Sequence, residues 1–458
     1  MEQTELLGSK AEKRQFRRMV MALVVPMALQ NLINVAVNAA DVIMLGKVSE
    51  TALSGASLAG QVQFIMTLIF FGITSGAAVL TAQYWGKGNT GAIERIMGIA
   101  MRISLCVSVV FTLAGVCVPE LCMRIFTSEP DVAAEGAKYL RVLSFTFPVM
   151  AVTIIYLNIM RSVERVVIST VVYSVSLVLN ILLNAVLIFG LLGCPALGIV
   201  GAAVATLCAR IAELVIVLIY ARRKDHQVHL RFRNLFVKDP VLFKDFLHYA
   251  LPVILNELMW GAGFSMNSVI IGHLGSPAVA ANSVAQVTRN LATVVAFGLA
   301  NATAILVGRT IGEGDVKRAE VYAKRFVRLT LCAGAAAAAV VLLVLPIMHK
   351  VMTLSEQAHS YLTVMMLVMS YFVFLQAYNT TMVVGIFRAG GDTRLGLIID
   401  VSTMWGGSIL FGALCAFVLK FPVEAVYVVL MSDEVIKVPI TTLRYRQKKW
   451  LKNVTREL

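Results

Sequence analysis

Four residues in apolar surroundings, Asp41, Asn180, Asn184 and Thr206, have the side-chain types needed to hold a proton or a sodium ion. Asp41 supplies one carboxylate near the end of a long apolar run, and Asn180 and Asn184 lie one helical turn apart on one face of another. A charge inside a bilayer is costly, so it persists mainly where it faces a cavity, pairs with another charge or relays protons. A second set is richer: the acids Glu257, Asp400, Asp433 and Glu434 against the bases Arg289 and Lys437. Asp433 and Lys437 stand at i,i+4, which predicts a local ion pair. Asp400 falls at a similar depth to Lys437, so the expected arrangement pairs those two and leaves Glu257 and Glu434 to take a cation or a proton. Four acids against two bases leaves two uncompensated negative charges to attract it. A third group forms stripes: Gln30, Asn34 and Asn38 at i,i+4,i+8, and Trp260 and Phe264 at i,i+4. Polar and aromatic stripes of this kind suit an amphipathic cation, expected between two lobes. The plainer readings are a helix cap at Asp41, a rigidifying ion-pair network in the second set and ordinary packing in the stripes. Arg210 and Glu213, at i,i+3, read as a structural pair.

The elements that must carry these groups are membrane helices. Hydrophobic residues make up 59% of the 458-residue chain, charged residues only 14%, and mean hydropathy is +0.81. A soluble domain carries roughly 25% charge. Apolar runs of about 20 residues, long enough to cross the hydrocarbon core, recur along the chain. They are continuous rather than alternating, which predicts helices rather than barrel strands. The predicted spans are 18–45, 53–84, 93–117, 136–160, 166–190, 198–221, 246–271, 279–310, 324–345, 358–387, 394–417 and 422–443. The chain is also written twice: at an offset of 226, Pro26 falls on Pro252, Gly46 on Gly272, Gly86 and Gly88 on Gly312 and Gly314, and Arg102 on Arg328. With one residue of slippage Arg161 falls on Arg388. Positions that need a special backbone or end a helix are in register, which indicates a duplicated half-protein rather than a solenoid unit. The expected organisation is an N-terminal six-helix lobe (1–221), a polar linker (222–245) interrupted at Asp239-Pro240, and a C-terminal six-helix lobe (246–458).

Positive charge sets the expected orientation. With the N-terminus inside, the inner connections and tails carry roughly 29 Lys and Arg against about 6 outside, so both termini are expected in the cytoplasm of a multi-pass plasma-membrane protein. The net charge of +14 sits in these connections, including Arg222-Arg223-Lys224, and reads as a topology signal in contact with anionic lipid. No nucleic-acid module is visible and no stacked aromatics are expected among the basic runs, so nucleic acid is not an expected partner. The first apolar run lacks a small-residue cleavage site and is expected to stay in the mature chain. Gly86-Lys-Gly-Asn-Thr-Gly91 satisfies a nucleotide-binding pattern, but it follows a membrane helix rather than a strand, and its counterpart Gly312-Glu-Gly-Asp315 suggests a tight turn used twice. A Walker A motif is absent, which excludes direct drive by ATP. The six histidines show no metal spacing, and the seven cysteines read as small packing residues.

At this point the residues resemble a family. Val25-Pro-Met-Ala-Leu-Gln-Asn-Leu-Ile-Asn34 and Ala40-Asp-Val-Ile-Met-Leu-Gly46, then Thr81-Ala-Gln-Tyr-Trp-Gly-Lys-Gly88, Leu179-Asn-Ile-Leu-Leu-Asn184 and Arg388-Ala-Gly-Gly-Asp-Thr-Arg394, are similar to segments of multidrug and toxic compound extrusion (MATE) transporters. These belong to the multidrug/oligosaccharidyl-lipid/polysaccharide flippase superfamily. The resemblance spans nearly the whole chain. It implies an all-α, V-shaped pair of six-helix bundles that exports organic compounds by alternating access, driven by proton or sodium entry, with the first-lobe coupling aspartate at Asp41. The chain departs from the pattern in three places. Some members carry an acid where this chain has Asn184. The glutamate of sodium-coupled members is not matched by Glu257. The first-half copy of the RxGGDT turn reads Arg161-Ser-Val-Glu-Arg165, so the turn is not expected to be shared by the halves.

The expected function is therefore secondary antiport of organic, amphipathic cations, with no enzymatic activity and no cofactor beyond the coupling proton or sodium ion. The expected partners are a small-molecule substrate and membrane lipid, with the chain working as a monomer. Coupling is assigned to Asp41, Asn180, Asn184, Thr206, Glu257, Asp400, Asp433, Glu434 and Lys437. Substrate contact is assigned to Gln30, Asn34, Asn38, Trp260 and Phe264. A flippase for lipid-linked precursors would want a strongly cationic cavity for pyrophosphate, whereas the buried excess here is acidic. A membrane prenyl transferase would want a DDxxD-type pair at a loop, whereas Asp433-Glu434 falls within a predicted span.

Overall fold

The computed structural model describes residues 10–222, 227–230, 233, 236–237, 239–352 and 354–457. Arg223 and Lys224 of the basic run, much of the predicted 222–245 linker and the first nine residues lie outside them. The first half contains α1 (Lys10–Gly46), α2 (Glu50–Gly86), α3 (Thr90–Cys117), a short α4 (Pro119–Arg124), α5 (Pro130–Leu143), α6 (Thr146–Ser162), α7 (Val167–Phe189) and α8 (Gly198–Ala221). The second contains α9 (Pro240–Gly272), α10 (Ser276–Ala292), α11 (Val294–Gly312), α12 (Val316–Val351), α13 (Glu356–Thr380), α14 (Thr393–Asp400), then Val401–Val418, largely π-helical, α15 (Val423–Leu430) and α16 (Asp433–Arg446). The chain is an all-α polytopic membrane protein.

Among the described residues, nine helices are long and apolar enough to cross a membrane, and ten if the pair α5–α6, bent by 53°, counts as one span. The expected spans 246–271 and 422–443 do not pass that test, although both are helical. In α9 the amides and acid of Asn256, Glu257 and Asn267 dilute the apolar run. The last span is broken at Met431–Ser432 into α15 and α16. These two helices carry Glu257, Asp433, Glu434 and Lys437, so apolarity falls where charge is concentrated. The predicted span 279–310 is likewise two helices, broken at Thr293.

Local signals account for the helix starts. Asn89 and Asp315 cap α3 and α12, accepting from the backbone N–H of Ala92 and Arg318 at 3.0 Å. Asp239-Pro240 starts α9 rather than merely breaking a helix, because Asp239 accepts from Leu242 N–H at 3.0 Å and proline suits the first turn. Burial would raise the Asp239 carboxyl, but that N–H and the Arg95 guanidinium at 3.1 Å hold it below its usual range. This increment of stability is therefore present at neutral pH and lost as pH falls through the lowered value.

The chain falls into two compact units. One consists of Leu29–Ala77 and Asn89–His248; the other consists of α1 up to Ala28, Ala78–Gly88 and Tyr249 onward. In the latter, Phe16 packs on Tyr322 and Phe326, with ring centroids 4.8 and 5.2 Å away, and Arg325 pairs with Glu12 at 2.6 Å. The duplicated glycine turns meet in the same unit. A Cβ on Gly86 would collide with the Arg309 carbonyl, and one on Gly312 with the Gln83 carbonyl. Since 83 + 226 = 309 and 86 + 226 = 312, the contact is isologous, each half offering the same two positions. Gly312→Ala is expected to lower the thermal midpoint of the purified protein. Gly406→Ala, where a Cβ meets open space, should leave it unchanged. Equal midpoints would show that this backbone contact is dispensable.

Candidate functional site

In the unit containing Asp41, three helices bring the four predicted ion-binding residues into one chain of hydrogen bonds. Asn184 Nδ2, on α7, donates to Asp41 Oδ1 of α1 at 2.5 Å and to Asn180 Oδ1 at 3.2 Å. Asn180 Nδ2 then donates to Thr206 Oγ1 of α8 at 3.4 Å. Both asparagines are buried because α7 turns Ser176, Asn180, Asn184 and Ile188 inward at i,i+4 spacing. With both amide hydrogens used, Asn184 Oδ1 is buried and makes no hydrogen bond among the described residues. A carboxylate, an orphaned amide oxygen and a hydroxyl are hard oxygen donors, fit for a proton or a hard monovalent cation. Two neighbours complete the site. Tyr139, almost fully buried, hydrogen-bonds Thr206, and Arg210 contributes positive charge near Asp41. The Arg210 guanidinium is held by both Glu213 oxygens at 2.8 and 3.0 Å, as expected of a structural pair. Tyr139 was not singled out by sequence, since it sits on a helix whose amphipathic pattern reads as ordinary packing.

The second acidic cluster is arranged differently from expectation. Lys437 Nζ is buried and touches three carboxylates: Asp400 at 3.0 Å, Asp433 at 3.0 Å and Glu434 at 3.2 Å. The Asp400–Lys437 and Asp433–Lys437 pairs follow the sequence reading. Glu434 does not remain unpaired: its other oxygen accepts from Asn379 Nδ2 at 2.8 Å, and Asn379 Oδ1 accepts from Thr441 at 3.0 Å. Glu257 is not free either, because Arg388 pairs with it at 2.7 Å. The sequence reading placed Arg388 in a loop, yet its side chain is buried. Counting it, the four acids face three cations, and the excess of negative charge falls from two to one. The π-helical stretches Thr381–Phe387 and Val401–Ile409 directly precede Arg388 and follow Asp400. Such turns commonly re-aim side chains at functional positions.

The turn after helix α6 corrects another expectation. Gly391 has φ +77° and Glu164 has φ +65°, and 164 + 227 = 391. Their hydrogen bonds match in pairs: Glu164 N–H to Arg161 O (3.0 Å) and Arg165 N–H to Met160 O (2.8 Å) correspond to Gly391 N–H to Arg388 O (2.9 Å) and Asp392 N–H to Phe387 O (2.8 Å). The turn is thus shared, with Glu164 in the left-handed region that glycine fills in the other half. Each turn also sends an arginine to the first helix of its half: Arg161, half-buried, donates to Gln30 Oε1 at 2.8 Å, as the buried Arg388 does to Glu257. Gln30 is buried, and its Nε2 donates to Thr170 and Val166, so its amide is fully engaged within the protein. Asn34 and Asn38 of the same stripe are exposed. Trp260 and Phe264 are half-buried with ring centroids 4.5 Å apart.

The motif Thr81–Gly88 holds the C-terminal tail. Gln83 Nε2 donates to Ala389 O at 2.7 Å and Lys452 O at 3.0 Å, its Oε1 accepts from Val454 N–H at 2.7 Å, and Lys87 donates to Arg456 O at 3.0 Å.

Comparison with known proteins agrees with this architecture. The sequence model of the MatE family matches twice, at residues 26–186 and 252–414, and the two start points are again 226 apart. The probable multidrug resistance protein NorM of Thermotoga maritima is 24% identical over 98% of this chain and 96% of its own length. The probable multidrug resistance protein YoeA of Bacillus subtilis is 23% identical over 93% and 92%. Among solved structures, MATE in the bent conformation superposes with a TM-score of 0.86 at 18% identity, covering 94% of this chain and 95% of that one. A MOP superfamily transporter from Pyrococcus furiosus gives 0.85 at 18%, covering 96% and 97%.

Proposed function

The chain belongs to the MatE family, whose members are transporters and not enzymes, and on that premise we propose that it is an antiporter exporting organic, amphipathic cations across the plasma membrane. Entry of a proton or a sodium ion at Asp41 drives export by alternating access, with both termini in the cytoplasm and the monomer as the working unit. The observation that carries this reading is the Asp41–Asn184–Asn180–Thr206 relay with its orphaned amide oxygen: one carboxylate hydrogen-bonded into a chain of neutral donors and acceptors. The multidrug names of the relatives support the substrate class. The second cluster, centred on Lys437, holds its acids in ion pairs and serves coupling by changing those pairs during transport.

The test is transport by the purified protein in proteoliposomes under imposed pH or sodium gradients. Export of a fluorescent organic cation should follow one gradient and stop when that gradient is collapsed; transport indifferent to both would refute antiport. In the same assay, replacing Trp260 and Phe264 with alanine should alter which compounds are carried, because it removes the stacked aromatic face. An unchanged spectrum at equal protein abundance would remove these two residues from the substrate path.

A further inference from the structure

Arg289 is a buried cation that nothing in the coupling chemistry uses. It lies on α10 at 8% exposure, and among the described residues the one polar contact of its guanidinium is from Nη2 to Asn290 Oδ1 at 3.3 Å. Nε and Nη1 make no hydrogen bond among the described residues. Asp433 and Glu434 are close enough to act on it electrostatically, but both are held by Lys437, and among the described residues no carboxylate forms an ion pair with Arg289. A guanidinium left with bare N–H groups in the interior is costly, and a fold keeps one where an acceptor arrives from outside the chain.

The surroundings describe that acceptor. The guanidinium carbon sits 4.1 Å over the Phe264 ring, which packs on Trp260, so one wall is a pair of aromatic faces. Asn282, about two helical turns before Arg289 and on the same buried face of α10, presents an Oδ1 without a partner. Asn267, one turn beyond Phe264 on α9, does the same. Tyr427, fully buried and electrostatically linked to Arg289, has a hydroxyl that makes no hydrogen bond among the described residues. Unsatisfied donors on Arg289 call for an anionic group; unsatisfied amide oxygens call for N–H donors; the rings call for a flat apolar body.

We propose that Arg289, with Phe264 and Trp260, forms a binding site for the carboxylate of an aromatic zwitterion, so that the compounds handled include molecules bearing both an amine and an acid. This rests on the exporter reading for its purpose, but binding can be measured without any gradient. Rhodamine 110 carries a free carboxylate, and rhodamine 123 is its methyl ester. Fluorescence anisotropy with the detergent-purified full chain should show the acid bound about tenfold more tightly than the ester, since an arginine–carboxylate contact is charge-assisted. Arg289→Gln should erase that preference and Arg289→Lys should retain part of it. Equal binding of acid and ester by the native protein overturns the proposal, and that comparison stands even if Arg289→Gln does not fold. A preference that survives in Arg289→Gln also overturns it and leaves Arg289 a structural residue. Loss of gradient-driven export with the acid preference intact would count against the antiport reading alone.

Discussion

Asp41→Asn is expected to reduce gradient-driven export in proteoliposomes to the level of protein-free vesicles while leaving membrane insertion and substrate binding intact. Asparagine keeps the shape of the side chain and can still meet Asn184, but it removes the one ionisable group in the relay through Asn184, Asn180 and Thr206. Arg210 does not substitute for it, because its guanidinium is held by Glu213. Without a group that changes charge state, or a full negative charge for a cation, nothing in this unit couples ion entry to a conformational change. The control is Asn184→Ala, which removes an acceptor and a donor but leaves the carboxylate, and should weaken coupling rather than abolish it. Export by Asp41→Asn at native rates, with equal protein in the vesicles, would move coupling to the second cluster.

Lys437→Met is expected to be the most destabilising single substitution in the second cluster. The side chain is 3% exposed and its ammonium touches Asp400, Asp433 and Glu434 within 3.2 Å. Removing it leaves three carboxylates facing one another without their cation. Breaking a buried pair by deleting one partner costs about 3–5 kcal/mol, because the remaining charge is neither solvated nor matched. The measurement is the thermal midpoint of the purified protein, and the diagnostic is rescue. Lys437→Met combined with Asp433→Asn should recover part of the loss, since one of the three acids no longer needs compensation. A single variant as stable as the native protein, or a double variant no better than the single one, would show that the acids are satisfied by other means.

The limits of sequence reading are visible in particular residues. Asp41, Asn180, Asn184 and Thr206 were legible together because helical periodicity places Asn180 and Asn184 on one face, and the apolar runs place all four at comparable depth. Asp433 and Lys437 were legible because i,i+4 contact is a property of one helix. Glu257 was misread because its partner, Arg388, lies at a position that a charge count assigns to a loop, and only the folded turn shows that its side chain reaches inward. Glu434 was misread for a similar reason: Asn379 is an unremarkable amide on a helix distant in sequence. The sequence does not mark the turn at Glu164, because glycine is the usual sign of a positive φ and here the backbone geometry is kept with another residue.

By itself the sequence determined that this is a duplicated, all-helical membrane protein, and it picked out Asp41, Asn180, Asn184 and Thr206 as polar groups within apolar runs. Those features are written in local, periodic chemistry: run length against bilayer thickness, turn glycines at a constant offset, and side chains spaced to share a helix face. Tertiary structure alone decided which buried charges are matched and which are not. It gave Arg388 to Glu257, gathered three acids on Lys437, and left Arg289 with bare N–H groups over Phe264. The physical reason is reach. An ion pair inside a membrane forms between side chains from helices far apart in sequence, and its existence depends on packing that brings them within about 3 Å, which no local pattern encodes.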